Sequence, residues 1–484
     1  MNETLRHPMD AIREEAKAKH KKAKDKPASA NGEAAQARVI DTKAPFATAK
    51  LFLENHASRS VRTINHHRGA FYAWNGRAYL EMADGELRSE IYPFLDQSFF
   101  VKSKGNLSPV KPNTAMVMNV LDGLRAAAHL NGKIAAPAWL RPNSNPPADE
   151  VVACLNGLLH LPSRKVFGNT PEFFTYNALD FPFDQAAPEP KQWVAFLHEL
   201  WPDDPESIST LQEIFGLCLT ADTRQQKAFL LVGPRRSGKG TIARVLARLI
   251  GSDSAVAPTL AGIGTNFGLA PLIGKRVAII SDARLGGRAD QHAIAERILS
   301  ITGEDAITID RKYAPAWTGQ LQTRFIVISN ELPRLADASG ALASRFIVLL
   351  LANSFYGRED HALTDRLLTA GILNWAITGW HRLAKFGHFK QPASALAAVE
   401  QLEDLGSPIK AFVRECCDIG PAFTISPDRL FETWQDWCST QNRDHPGTKQ
   451  TFGRDLRAAC PAVKIIQPRE EGNRCRLYQG ICIK

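Results

Sequence analysis

Residues 233–241 read Gly-Pro-Arg-Arg-Ser-Gly-Lys-Gly-Thr and lie between the apolar run Phe229–Val232 and a helix-like stretch beginning at Thr241. Phosphates are held by converging backbone N–H groups where a loop opens into a helix N-terminus. Gly233 and Gly238 let such a loop close on an anion without a Cβ in the way. Gly233, Pro234, Arg235, Arg236, Ser237, Gly238, Lys239, Gly240 and Thr241 are therefore the expected phosphate-binding set, with Lys239 reaching the β and γ phosphates of a nucleoside triphosphate such as ATP. The spacing GxxxxGK is intact. Gly240, however, stands where a Ser or Thr normally reaches Mg²⁺, and the hydroxyl of Thr241 comes one position later, so which hydroxyl serves the metal is open at this stage.

Three further polar residues stand at or beside the ends of apolar runs. Asp282 closes KRVAIISD, the position of a carboxylate that holds Mg²⁺ at the C-terminal edge of a parallel sheet. Asn330 closes TRFIVISN, where an amide can orient water or sense a γ-phosphate. Arg345 opens the run FIVLL and is a candidate for stabilising transition-state charge, although an Arg at a strand start is also an ordinary surface residue and Arg334 offers similar chemistry. A second acid directly after Asp282 is missing, since the next residue is Ala283. The water-activating base is open, with Glu304 and Asp305 as the nearby carboxylates.

These residues need a parallel sheet to position them. The chain has 484 residues, of which 44% are hydrophobic and 23% charged, enough for about three domains with real cores. Its formal charge of +9 permits a polyanionic partner. No apolar run approaches the ~18 residues of a membrane span, the N-terminus lacks an export h-region, and the eight cysteines form no CxxC pair. Reduced thiols in a cytoplasmic protein are expected. Residues 1–43 read as a basic, mobile arm rich in Lys and Ala. Residues 44–206 mix aromatic strands, as in AFYAWNGRAYLEM with its Asn75-Gly76 turn, with helical runs, which predicts an α+β domain. Asp180 and Asp184 in that stretch read as loop residues around Pro182. Residues 207–391 form the nucleotide-binding α/β core, and residues 392–484 a linker helix and a C-terminal domain.

With GPRRSGKGT, IISDARL, ITIDRKYAPAW, VISNELPRL and ALASRFIVL in this order, the chain resembles superfamily III helicases, and more narrowly the helicase part of phage and plasmid primase-helicases of the satellite-phage type. The resemblance runs from about Trp74 to the C-terminus. It implies an AAA+-like P-loop core in a homo-hexameric ring, ATP and Mg²⁺ between subunits, and a helicase-associated N-terminal domain. It places the Walker A lysine on Lys239, the Walker B acid on Asp282, the sensor on Asn330 and the trans-acting arginine on Arg345. IDRKYAPAW matches the channel hairpin of that family, with Lys312 and Tyr313 near its tip. A ring of ammonium groups can track DNA phosphates while an aromatic stacks on a base. The family also implies 3′ to 5′ movement on single-stranded DNA. No zinc ribbon or primase-like acidic cluster is seen, so priming would require a separate primase.

Residues 407–484 read as three helices and a hairpin, the order of a winged helix. Thr448 is placed to cap the third helix, which would present Lys449, Arg454 and Arg457 to DNA, with Arg474 and Arg476 flanking the wing turn. Trp434, Trp437 and Phe452 fall at helical spacing and read as core. Two other functions fit the same loop. A nucleotide kinase is compatible with GKGT, and a replication initiator could use ATP for assembly alone.

Overall fold

The computed structural model describes residues 38–484 apart from 103–104, 142–143, 284–289, 336, 338, 361, 442–445, 471–472 and 475. The basic arm therefore lies almost wholly outside the described residues. The chain forms two compact units. The smaller holds the described residues up to Phe52 together with Gly85–Gly123, and is built mainly from helices around the two-stranded pairing of Phe99–Val101 with Leu107–Pro109.

The larger unit begins with an antiparallel meander, β1 (Ile64–His67), β2 (Ala70–Trp74) and β3 (Tyr79–Met82). The Asn75 side chain fixes the β2–β3 turn, its Oδ1 accepting the amides of Arg77 and Ala78 at 3.0 Å each. This is the local turn chemistry that favours Asn there. Two helices follow, α1 (Lys191–Leu200) and α2 (Pro205–Leu219), the second capped by Asp204 on the Ser207 amide at 3.0 Å.

A five-stranded parallel sheet dominates this unit. In chain order its strands are β4 (Ala228–Val232), β5 (Ala255–Val256), β6 (Val277–Ser281), β9 (Arg324–Ser329) and β10 (Phe346–Leu350), and in space they run β5-β6-β9-β4-β10. Helix α3 (Lys239–Ile250) follows β4. Helix α4 (Gln291–Thr302) and the hairpin β7 (Ile307–Arg311) and β8 (Ala314–Gly319) separate β6 from β9. Every residue of β4 and β9 is buried, which explains their unbroken apolar sequence: helices cover both faces of a parallel sheet. Alternate residues serve opposite faces. Leu231, Ile326 and Ile347 join a core with Trp193 and Phe215, whereas Leu230, Val327 and Val348 join one with Ile294 and Ile298.

Helix α5 (Gly371–Phe386) crosses α2 at backbone contact. A Cβ on Gly216 would stand 2.3 Å from the Trp380 amide nitrogen, and one on Gly379 would stand 2.0 Å from the Gln212 carbonyl oxygen.

The C-terminal region contains α6 (Pro408–Cys416), β11 (Cys417–Ile425), α7 (Pro427–Thr440), α8 (Lys449–Ala459), β12 (Lys464–Ile466) and β13 (Leu477–Ile483), with sheet order β11-β13-β12. Strand β11 is absent from the sequence expectation of three helices and a hairpin. Gly420 and Pro421 hide it, and they lie where its pairing with β13 is interrupted by an irregularity between Ile419 and Thr424. Such a break is where a strand tolerates residues that cannot serve the ladder. Trp434, Trp437 and Phe452 are buried with Phe412 in one cluster. Among the described residues no helix is long and apolar enough to cross a membrane.

Candidate nucleotide site and hairpin

The loop from Gly233 to Gly238 leaves the C-terminal end of β4 and opens into α3, whose first N–H groups have no intrahelical acceptors. Two sites on it adopt left-handed backbone, Arg236 at φ 60° and Gly238 at φ 89°. Gly233 is fixed by contact, since a Cβ there would lie 2.3 Å from the Leu351 carbonyl oxygen. Its amide donates to the Ser329 carbonyl at 3.3 Å, tying the loop to the end of β9. Against Gly238 pack Phe196 and Leu200 of α1.

Lys239 is buried, and its ammonium donates to the carbonyls of Gly233 and Pro234 at 2.7 Å each and to Ser237 Oγ at 3.0 Å. Burial holds its pKa below the ordinary lysine value. The loop thus carries its cation folded against itself, oriented by neutral acceptors rather than by a carboxylate. Thr241 is also buried, and its Oγ1 accepts from Arg244 Nη2 at 3.1 Å. Gly240 lies in front of it, with only Arg244 near a Cβ placed there. The one hydroxyl available for a metal on this helix turn already accepts from a guanidinium.

Asp282 directly follows β6 and is exposed, with φ 64° and its amide donating to the Ile328 carbonyl at 3.0 Å. A left-handed aspartate at a strand end is a strained conformation of the kind found at functional sites. Asn330 directly follows β9 and is exposed. Because β9 lies between β4 and β6, with Val232 beside Ser329 and Ser281 beside Ile328, the loop, Asn330 and Asp282 all emerge at the same C-terminal edge. Open α/β sheets bind ligands at that edge.

Arg345 lies at the opposite edge. It precedes β10, whose Phe346 pairs with Ala228 and whose Leu350 pairs with Val232. At ~3.3 Å per residue it stands about 17 Å from the loop along the strand. Its guanidinium donates to the Gln226 side chain. Beside it the Lys227 ammonium donates to the Ser344 carbonyl at 2.6 Å, and burial followed by the Arg345 charge lowers the Lys227 pKa. Arg334 is exposed in the loop after β9.

The two carboxylates considered as bases are not at the loop. Glu304 accepts from Thr223 Oγ1 at 2.5 Å, ahead of β4, and Asp305 lines the same cavity as Arg345. Both stand on the N-terminal side of the sheet, because the chain between α4 and β7 must return there before re-entering as β9. Neither serves Lys239 within one chain.

Lys312 and Tyr313 form the turn of the β7–β8 hairpin. Tyr313 is 95% exposed at φ 61°, and the Lys312 ammonium stands 5.1 Å from its ring centroid. In the C-terminal region Thr448 caps α8 in a reciprocal arrangement with Thr451. Lys449 is ion-paired with Asp428, Arg454 with Asp455 at 2.8 Å, and Arg457 Nε donates to the Gly453 carbonyl at 3.0 Å. Arg454 shares a cavity with Arg345, His292 and Glu296, a position set by packing that its sequence does not indicate. Arg476 is exposed. The side chain of Arg474 lies outside the described residues, and only its backbone pairing with Arg469 is seen.

A cavity of about 690 Å³ adjoins the loop, walled by Phe196, Gly238, Thr241, Arg244, Phe355 and Arg358. Its size suits a small organic ligand. Phe196, Phe355 and Arg358 went unread in the sequence because they come from α1 and from the segment after β10, far from the loop in the chain. For the last two, the signal was the pair of aromatics beside an arginine in FYGRED.

A family model described as a family of unknown function (DUF5906) matches residues 231–345. Among solved structures, the A form apo structure of the NrS-1 C-terminal region aligns with a TM-score of 0.47 at 13% identity, covering 90% of this chain and 99% of that one. A second A form apo structure, of NrS-1 C-terminal region 305–718, gives 0.43 at 12% identity with 90% and 100% covered. An apo structure of the same region gives 0.45 at 12% identity with 90% and 99% covered.

Proposed function

We propose that this protein is an ATP-dependent DNA helicase of replication, working as a ring in which each nucleotide lies between two subunits. The observation that carries the reading is the division of functional groups across one sheet: Lys239, Asp282 and Asn330 at the C-terminal edge, Arg345 at the other. An arginine about 17 Å from its own loop along the strand is out of reach of that loop's nucleotide, and in a ring it would face a neighbour's.

In this reading the loop amides and Lys239 bind the triphosphate, and the 690 Å³ cavity takes the nucleoside. Asp282, with Thr241, would hold Mg²⁺, which when bound neutralises charge on the β and γ phosphates. The acid fits that task by its exposure and edge position, whereas Thr241 must first share its oxygen with Arg244. Asn330 orients the attacking water, and Arg345 of the adjacent subunit offsets charge developing in the transition state. The Lys312–Tyr313 tip grips single-stranded DNA, its ammonium on phosphate and its ring on a base. The C-terminal region, read as a winged helix, holds duplex DNA through Lys449, Arg457, Arg474 and Arg476.

The test is ATP hydrolysis and strand separation on a forked DNA, with Lys239→Ala and Lys312→Ala beside the wild type and a parallel set lacking DNA. Hydrolysis should be stimulated by DNA and lost in Lys239→Ala. Lys312→Ala should keep basal hydrolysis and lose unwinding. Hydrolysis indifferent to DNA, with no strand separation, would overturn the helicase reading; oligomers on DNA would then indicate an initiator, and phosphoryl transfer to a nucleoside monophosphate a kinase.

A further inference from the structure

A hairpin of two strands is marginally stable by itself, so one whose turn must stand at a fixed angle needs a support beside it. Strands β7 and β8 form a two-stranded sheet of their own. Ile309 and Trp317 tie the hairpin to the core, where they are buried with Ile294 and Ile298. Lys312 and Tyr313 at the turn are exposed. Between the two, both arms of the hairpin touch the β1–β3 meander.

Three contacts make that support. Arg311, the residue before Lys312, places its Nη2 2.6 Å from Glu81 Oε1 on β3, a partner 230 positions earlier in the chain. The Arg68 guanidinium, held by donation of its Nε to the Gly132 carbonyl at 2.9 Å, lies 5.4 Å from the Trp317 ring centroid. In the same β1–β2 turn Gly69 reaches Pro315, where a Cβ would meet the proline ring at 3.6 Å. Arg311 belongs to β7, and Pro315 and Trp317 belong to β8.

The Glu81 pair is more than an exposed ion pair. The Arg311 side chain is 14% exposed and that of Glu81 47%, and a mostly buried guanidinium depends on its acid more than an exposed one does. In a regular strand Ile309 and Arg311 would share a face. The β7–β8 register shifts between them, and such a bulge re-aims the side chains beside it. The shift leaves Ile309 in the core and Arg311 on Glu81.

We propose that Glu81 is a positioning residue for the hairpin tip: through Arg311 it fixes the angle at which Lys312 and Tyr313 stand out toward a DNA strand. The inference rests on the reading of that tip as a grip on single-stranded DNA and adds the residue that aims it.

The test uses the sign of the charge. Glu81→Lys sets a cation beside Arg311 and raises the positive charge near the tip, so a hairpin acting through charge alone would bind DNA more tightly. Positioning predicts the reverse. DNA-free hydrolysis should stay at the wild-type rate, while DNA-stimulated hydrolysis and unwinding of a forked DNA fall about tenfold or more, as for a small misplacement of a working group. Arg311→Glu alone should show the same split. Combined with Glu81→Lys it restores the pair with charges exchanged, and most of the unwinding should return. Glu81→Gln keeps the shape and loses the charge; it should show a milder loss, and it serves if Glu81→Lys does not fold. Wild-type unwinding in both Glu81 variants overturns the proposal and leaves the helicase reading standing. So does a defect in Arg311→Glu that Glu81→Lys fails to relieve, which would make Arg311 a direct DNA ligand.

Hydrogen exchange of the amides in residues 307–319 gives a readout that needs neither DNA nor ATP. Exchange should quicken in Glu81→Lys and slow again in the double variant. Equal exchange in the three proteins means that the pair does not hold the hairpin and overturns the proposal. If exchange responds as stated but the wild type neither hydrolyses ATP nor separates strands, the helicase reading is what fails, and the role of Glu81 toward DNA falls with it.

Discussion

Gly233 and Leu351 meet backbone to backbone: a Cβ on the glycine would stand 2.3 Å from the leucine carbonyl oxygen and 2.9 Å from its Cβ. The contact holds the start of the Gly233–Gly238 loop against the chain leaving β10. Gly233→Ala must therefore shift the loop, and with it the two carbonyls that orient Lys239. A loss of about 1–3 kcal/mol of stability is expected, as for overpacking elsewhere, with nucleotide affinity falling further than stability alone explains. Denaturant midpoints and nucleotide titration on the same variant check this. An unchanged nucleotide affinity in a folded Gly233→Ala protein would show that the loop position is not set by this contact.

The crossing of α2 and α5 depends on two glycines, and each faces the other helix's backbone: Gly216 against Trp380 and Gly379 against Gln212. Replacing either with Ala forces the helices apart and loosens Arg382, which donates to Glu213 at 2.6 Å and Gln212 at 2.9 Å across the crossing. Each substitution should cost about 1–3 kcal/mol. The double variant should cost less than the sum, since the first opens the space the second needs. Additive losses in thermal or denaturant unfolding would mean the two contacts are independent.

Much of this arrangement was legible because it rests on local chemistry. The buried strands β4, β6 and β9 are continuous apolar runs, the turn at Asn75 is an Asx geometry, and Thr448 caps its helix as its type and place require. Hairpin β7–β8 was legible only through the family resemblance that IDRKYAPAW carries. What was not legible depends on distant parts of the chain. Strand β11 is obscured by Gly420 and Pro421, the cavity wall at Phe196 and Phe355 is assembled from segments that precede and follow the sheet in the chain, and the edge on which Glu304 lies is decided by where α4 ends. Arg454 is a basic residue on an exposed helix by sequence, and only packing puts it beside Arg345.

His67 makes stability depend on pH. Burial, then the nearby Arg68 charge, lowers its pKa from 6.5 to about 4. Between these values the unfolded chain takes up a proton that the folded chain refuses. The unfolded state then binds more protons, so this contribution to stability is complete above pH 6.5 and is lost as pH falls toward 4. The unfolding midpoint should drop through that window, and His67→Phe should flatten the drop. A profile identical in the two proteins would remove His67 as its source.

Arg345 offers the sharpest test of shared sites. Its guanidinium is bonded to Gln226, at the strand edge opposite Lys239, so a chain cannot bring both to one nucleotide. Arg345→Ala should bind ATP as the wild type does and lose hydrolysis by about 10³-fold or more, the scale of a missing arginine finger. Lys239→Ala should also be inactive, for loss of the cation in its own loop. Under the shared-site reading, mixing the two inactive proteins would create one kind of interface that is whole, with the loop of an Arg345→Ala subunit facing the arginine of a Lys239→Ala subunit. Hydrolysis should reappear on mixing and peak near equal proportions. If Arg345 served its own chain or held only the strand start in place, no mixture would regain activity, and Gln226→Ala, which frees the guanidinium without removing it, would mimic Arg345→Ala. Under the shared-site reading Gln226→Ala retains most of its turnover.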